Sequence, residues 1–291
     1  AIVPIMDTID LAFVFKRLQS TGFSEIEANN LYGNFKGLAQ TLINLPQVFS
    51  MALAISLVPA ISDANARKSY KEVKNIVSSG IRVTLLIGLP CTFGLFILAK
   101  PIIGLLYYKN PIETINSAGE ILAILSFGVV FLTLVQSLTA ILQGLGKSLM
   151  PVINLTIGAI VKVCLTYILT GIRSINIKGA AISTVIAYLI AALLDLISVK
   201  KYTRLKFNKK EMFIKPFMAS LVMAIVAKLT HIGLINTFGD KLSTIIAITI
   251  GAITYFILLI VSGSLTYEDF ILLQNGDKLA DKLVKLKLLK G

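Results

Sequence analysis

Repeated runs of about 20 mostly apolar residues, separated by short polar segments, constrain this chain more than any other feature. As a helix, a run of about 20 residues crosses the roughly 30 Å hydrocarbon core of a bilayer. With 56% apolar and only 15% charged residues, the chain carries more apolar surface than a soluble domain buries. We therefore predict an all-α membrane protein with eight transmembrane helices, at Ala1–Phe15, Gly37–Ile61, Ile76–Ala99, Ala118–Leu142, Leu149–Thr170, Gly179–Val199, Met212–Ile235 and Leu242–Ser262.

The connections between these spans are too short to hold a soluble domain, so any activity must reside in the helices and their short loops. The sequence contains no phosphate-binding loop, dinucleotide fingerprint, zinc motif or nucleophile elbow. We therefore predict that the chain is not an enzyme and uses no cofactor or metal. Because it begins inside an apolar segment at Ala1, we expect it to be part of a longer protein.

Lysine and arginine residues are unevenly distributed between the two sides of the predicted spans. Of the 28, 17 fall on the side that includes Ser62–Lys74 and Lys200–Lys215, and eight, including Lys36, fall on the other side. Because cytoplasmic loops carry the excess of positive charge, both ends of the chain are predicted to lie in the cytoplasm, with the spans in a bacterial cell membrane. The net charge of +13 is then explained by topology and by contact with anionic phospholipids, without nucleic acid as a partner.

Prolines interrupt several of the predicted spans. Pro46, Pro59 and Pro90 each lack an amide donor and leave the carbonyl four residues earlier, at Leu42, Ile55 and Leu86, without its helical partner. Such helices kink, and the freed carbonyl must bond to a neighbouring helix or to water. The kinks are consistent with the bent helices of an alternating-access carrier and equally with static bends.

Two carboxylates lie in the first predicted span. Asp7 and Asp10 are three residues apart and so share one helix face. A carboxylate at membrane depth costs several kcal/mol unless it meets a cation, a polar partner or water. We predict a cation or proton site here, with a structural ion pair or a hydrated rim as the alternatives.

Three of the other charges within predicted spans bear on function or structure. Lys162 is roughly 12 Å or more from either end of its span, too deep to reach the interface easily. It either faces an internal aqueous cavity, where it could attract a phosphate-bearing substrate, or pairs with a carboxylate. Arg82 either extends to the cytoplasmic interface or binds a pyrophosphate in the same cavity. Asp195 is predicted to pair with Lys200 or Lys201 near the inner interface.

The order and spacing of several segments carry a family resemblance. These segments are Gly22–Glu25, Tyr32–Gly33, Leu45–Pro46, Ala52–Ser62, Ile141–Lys147, Pro151, Lys162 and Gly179–Ala181. Together they resemble the stage V sporulation protein B and polysaccharide flippase family of the multidrug, oligosaccharidyl-lipid and polysaccharide exporter superfamily. The resemblance extends over nearly the whole chain.

This resemblance implies a fourteen-helix fold of two six-helix lobes around a central cavity, followed by two more helices. Residues 1–204 would be the second lobe, and residues 205–263 the two additional C-terminal helices. Residues 264–291 would form a basic amphipathic tail on the inner leaflet, with one leucine stripe. The first lobe of the same protein would then be missing from this chain and would act as its partner.

The implied activity is transport of an undecaprenyl-pyrophosphate-linked saccharide across the cytoplasmic membrane, for spore-cortex peptidoglycan or another polysaccharide. Related flippases have a cation site for sodium or protons, and the positions that match it here are Asp10, Asn154 and Thr184. The position one turn after Asn154 is Gly158, where those relatives can carry a second carboxylate. The alternatives are a multidrug or cation antiporter of the same superfamily and, from another class, a membrane-embedded glycan polymerase or ligase. The two extra C-terminal spans argue against the first, and the short outer loops against the second.

Overall fold

Every regular element that the structure describes is helical. The computed structural model describes residues 13–205 and 210–263. The α-helices are α1 (13–20), α2 (Glu25–Gly33), α3 (Gln40–Ile43), α4 (Leu45–Ala66), α5 (Tyr70–Ile97), α6 (Ala99–Leu106), α7 (Ile112–Gly144), α8 (Leu149–Thr170), α9 (Lys178–Thr203) and α10 (Lys215–Val261). Wider π-helical turns connect α2 to α3 at Asn34–Ala39 and precede α10 at Lys210–Ile214.

Six of the described helices are long and apolar enough to cross a membrane. The last of them folds back on itself at Gly239, where φ is 74°, a value that L side chains rarely adopt. Its two arms are antiparallel, and at their open end the Lys215 amine donates a hydrogen bond to the Ser262 carbonyl. At the other end, His231 Nε2 lies 3.0 Å from Asp240 Oδ1. These arms, called here the C-terminal hairpin (Lys215–Val261), correspond to the last two predicted spans.

The described residues thus confirm an all-helical membrane fold, but not the predicted number of eight helices. The first predicted span, Ala1–Phe15, lies outside the described residues except for its end. The second was predicted to start at Gly37, whereas the membrane helix α4 begins at Leu45. The reason is local: helical hydrogen bonding is interrupted at Asn44, and Pro46 lies in the first turn of α4, where its missing N–H needs no helical partner.

Helix α7 is the central element of the bundle, since it packs against α4, α5, α6, α8 and α9. Its first half joins one apolar core that includes Phe35 and Ile103, and its second half joins another that includes Leu57 and Ile81. Small residues allow the closest contacts: a Cβ on Gly88 would lie 2.6 Å from Thr133 Oγ1 of α7.

The predicted consequence of Pro90 is visible where α5 meets the C-terminal hairpin. Pro90 lies inside α5, and the Leu86 carbonyl four residues earlier accepts a 2.8 Å hydrogen bond from the Tyr255 hydroxyl. Tyr255 is buried in an apolar cluster with Met223 and Leu259. The hairpin therefore provides the donor that the proline removes from α5.

Candidate functional site

A polar cavity of about 460 Å³ lies beside α7 and is partly open to the surface of the bundle. Unlike the apolar surfaces around it, its wall is rich in amide side chains and contains two lysines. The lining residues are Lys36, Gln40, Asn44, Gln47, Met51 and Ala54 from the segment leading into α4, Leu132, Val135, Gln136, Thr139, Ala140 and Gln143 from α7, Leu155 and Lys162 from α8, and Tyr188 from α9.

One wall of the cavity is a row of four polar side chains on successive helical turns. Lys36, Gln40, Asn44 and Gln47 are separated by four, four and three residues, the spacing that places side chains on one helix face. The row crosses the π-helical turn at Asn34–Ala39 and the interruption at Asn44, features that recur at functional sites in helical proteins. The row therefore runs through two interruptions of the regular α-helix.

Two amide oxygens in this wall lack hydrogen-bond partners within the described part of the chain. They are the Oε1 atoms of Gln40, which is only 7% exposed, and of Gln136 on α7. A buried acceptor without a donor costs about 1–3 kcal/mol. Both oxygens are buried in the cavity wall, so a ligand with hydroxyl or amide N–H groups could satisfy them once these side chains turn toward the cavity.

Lys162 lines this cavity. It is buried, at 4% exposure, on the α8 face that also carries Asn154, Gly158 and Thr166. Lys36, in contrast, was counted among the outer-loop lysines, yet it lines the same cavity. The four-residue steps from Lys36 to Gln40 and from Gln40 to Asn44 were the available signal. The signal was missed because the second span was predicted to begin after Lys36.

Arg82 does not line this cavity. The residues of α5 that face α4 and α7 are Gly80, Thr84 and Gly88, and the Thr84 hydroxyl is bonded to Ser137 of α7. Arg82 is two residues from Thr84, a rotation of about 200° around the helix axis, and so lies on the opposite side of α5. A role of Arg82 in substrate binding together with Lys162 therefore stays a prediction.

The residues of the predicted cation site are not brought together by the described part of the chain. Asp7 and Asp10 lie outside the described residues. Asn154 of α8 donates to Asp195 Oδ1 of α9 over 2.8 Å, whereas the Thr184 hydroxyl donates to the Ala180 carbonyl in its own helix. Because Thr184 precedes Asp195 by 11 residues, it lies about 16 Å further along α9. Asn154 and Thr184 are thus at different depths of the helix pair.

An apolar groove of about 580 Å³ lies on another side of the bundle, between α4, α5, α6 and the C-terminal hairpin. Apart from Cys91 and the Tyr255 ring, its walls consist of aliphatic and aromatic side chains, proline and glycine. These include Phe49 of α4, Leu95 of α5 and Phe256 of the hairpin. The groove therefore suits a long hydrocarbon chain.

A bundle of membrane-length helices, with a polar cavity beside its central helix and a C-terminal hairpin, defines the class: a multi-pass helical membrane protein with the architecture of a carrier. Residues 37–263 match the family described as lipid II flippase MurJ. The chain belongs to this family, which is part of the exporter superfamily that the sequence resembled.

Individual relatives agree with this assignment. The chain is 30% identical to stage V sporulation protein B of Bacillus subtilis over 68% of the chain and 37% of that protein. It is 22% identical to lipid II flippase MurJ of the same organism over 87% of the chain and 47% of that protein. A solved structure of lipid II flippase MurJ in an inward closed conformation superposes with a TM-score of 0.60 at 23% identity, covering 79% of the chain and 48% of that structure. The chain spans less than half the length of these relatives.

Proposed function

We propose that the protein to which this chain belongs moves a lipid-linked saccharide across the cytoplasmic membrane by alternating access. The observation that carries the proposal is the polar cavity, whose walls contain Lys36 and Lys162 together with the amide side chains of Gln40 and Gln136. Residues 1–204 would act as one lobe of the carrier. A second lobe outside this chain would complete the path.

Each part of the cavity matches one part of such a substrate. A lysine ammonium is a mobile point charge that attracts phosphate oxygens without requiring fixed geometry. Saccharide hydroxyl groups and N-acetyl N–H groups are hydrogen-bond donors, which the Gln40 and Gln136 oxygens lack. A substrate that combines a diphosphate with a saccharide would therefore use both features of the cavity.

The apolar groove beside the C-terminal hairpin supports a polyprenyl carrier as the lipid part of the substrate. Its volume and its lining by Phe49, Met223 and Phe256 suit a hydrocarbon chain that stays at membrane depth while the head group moves. Similarity to stage V sporulation protein B further supports a peptidoglycan precursor made during sporulation. Asp7 or Asp10 would supply the cation or proton site that drives transport.

The test is transport by the complete protein reconstituted in vesicles, with a fluorescent undecaprenyl-pyrophosphate-linked saccharide as substrate. We expect Gln40→Leu and Gln136→Leu each to weaken apparent affinity by up to about tenfold, since each removes an acceptor worth up to about 1.4 kcal/mol. Lys162→Met should abolish transport more completely, while Lys162→Arg should retain part of it. The matched control is Gln19→Leu, because Gln19 is exposed and outside the cavity. Wild-type transport by Gln40→Leu, Gln136→Leu and Lys162→Met would refute the assignment of this cavity.

A further inference from the structure

We propose that Asp195 is a proton-binding residue, held between α8 and α9 and shut off from water by their close packing. Asp195 is 1% exposed, within the span formed by α9. Its Oδ1 accepts a hydrogen bond from Asn154, whose amide also donates to Ser198 Oγ over 3.3 Å. The Ser198 hydroxyl in turn donates to the Leu194 carbonyl.

No lysine or arginine nitrogen in the described ranges forms an ion pair with Asp195. The predicted partners Lys200 and Lys201 are five and six residues away on the same helix, rotated by about 140° and 240° from Asp195. The sequence interpretation of Asp195 as half of an interfacial pair is therefore not what the structure shows. The carboxyl group is buried with an amide as its partner.

The charged groups on the neighbouring helices are also remote. On α8, Lys162 is eight residues from Asn154, about 12 Å along the helix. Helix α7 contains no titratable side chain after Glu120, which is at the other end and binds Lys100 and Lys178. Helix α5, which carries Arg82, makes little contact with α9. Lys147, between α7 and α8, lies over the ring of Tyr202, which is seven residues beyond Asp195 on α9.

The surroundings of Asp195 favour a proton over a metal cation. An ionised carboxylate at membrane depth is unfavourable when no cation neutralises it, and binding a proton removes the charge. A sodium ion would also remove it, but it needs several oxygen ligands. Here Asn154 turns its N–H groups toward both the Asp195 and Ser198 oxygens. Donors that occupy these oxygens compete with a metal ion for them.

Release of this proton requires α8 and α9 to separate. One turn along α8 from Asn154, a Cβ on Gly158 would lie 2.8 Å from the Ala187 carbonyl, so the two backbones are almost in contact. Since α8 also carries Lys162 in the polar cavity, movement of α8 away from α9 would couple proton exchange to the cavity. Only this coupling rests on the proposed function; the proton site itself does not.

The site is tested first by infrared spectroscopy of the reconstituted complete protein, without any substrate. We expect the carbonyl stretch of a protonated carboxylic acid in the wild type, absent in Asp195→Asn and retained in the matched control Asp240→Asn, whose side chain is 49% exposed. If Asp195→Asn does not fold, the same band is assigned by isotope-labelled aspartate in the wild type. Absence of this band in sodium-free buffer, or its loss on adding sodium, would overturn the proton site.

Coupling is tested by the pH dependence of transport. We expect Asp195→Asn, which mimics the permanently protonated state, to lose the pH dependence that Asp240→Asn retains. An unchanged pH profile in Asp195→Asn would refute the coupling while leaving the infrared result intact. Failure of every variant and of the wild type to transport the lipid-linked saccharide would refute the proposed function, and not the proton site.

Discussion

Replacing Tyr255 by phenylalanine should loosen the C-terminal hairpin from the rest of the bundle. Tyr255→Phe removes one hydroxyl group from a side chain that is 9% exposed and that donates to the Leu86 carbonyl. Because Pro90 has no N–H, that carbonyl then has no helical donor. The ring itself stays, so the apolar packing against Met223 and Leu259 is kept.

The expected loss is about 1–2 kcal/mol of unfolding free energy. A typical hydrogen bond contributes about 0.5–1.5 kcal/mol, and a buried acceptor left unsatisfied costs about 1–3 kcal/mol. Hydrogen bonds between membrane helices average only about 0.6 kcal/mol, because the unfolded chain in the membrane finds other partners. The free-energy loss at the Leu86 carbonyl should be toward the upper end of about 1–2 kcal/mol, because Pro90 has no N–H with which to restore the bond within α5.

A double-mutant cycle tests whether the loss arises from the carbonyl that Pro90 leaves without a donor. In the Pro90→Ala background, the restored N–H at position 90 can bond to the Leu86 carbonyl, so Tyr255→Phe should become nearly neutral. The coupling between the two positions should therefore approach about 1 kcal/mol. Unfolding in detergent or bicelles, followed by circular dichroism, measures all four proteins, with Tyr70→Phe as the control because Tyr70 is 67% exposed. An equal loss from Tyr255→Phe in both backgrounds would refute the reasoning.

Two further predictions concern packing and orientation. Gly158→Val should lower the unfolding free energy by about 1–3 kcal/mol, since its side chain would meet the Ala187 carbonyl. The control Gly233→Val should change it little, because no neighbouring atom lies within 4 Å of the added Cβ. Equal effects of the two variants on thermal unfolding would contradict the close approach of α8 and α9. After replacement of the two native cysteines, an impermeant thiol reagent outside intact cells should label a cysteine at Asn110 but not one at Ser69, and the opposite pattern would reverse the predicted orientation.

The sequence predicted best those features that depend on a single helix. Helix α8 begins and ends at Leu149 and Thr170, as predicted, because a long apolar run is its own signal. The carbonyl freed by Pro90 was also foreseen, since it depends only on positions 86 and 90. Its partner Tyr255 was not, because the two residues are 169 positions apart and nothing local connects them.

The same distinction explains the outcome at the candidate site. The depth of Lys162 in its span indicated a cavity or a carboxylate partner, and the structure places it in a cavity wall. The bond between Asn154 and Asp195 depends on the relative position of two helices, which the composition of neither helix reveals. Asp195 was therefore assigned to the nearest lysines in sequence. Helical rotation, which points those lysines elsewhere, would have been enough to reject that assignment.

The polar contact between α8 and α9 has a consequence for how the chain enters the membrane. Helix α7 is apolar enough, at a mean hydropathy of 2.3, to leave the translocon into lipid alone. Helices α8 and α9 each bring a strongly polar group, Asn154 and Asp195, to membrane depth, and the two groups are hydrogen-bonded to each other. Partitioning one helix at a time would expose both groups to hydrocarbon. We therefore expect α8 and α9 to enter the membrane together, already paired as a helical hairpin.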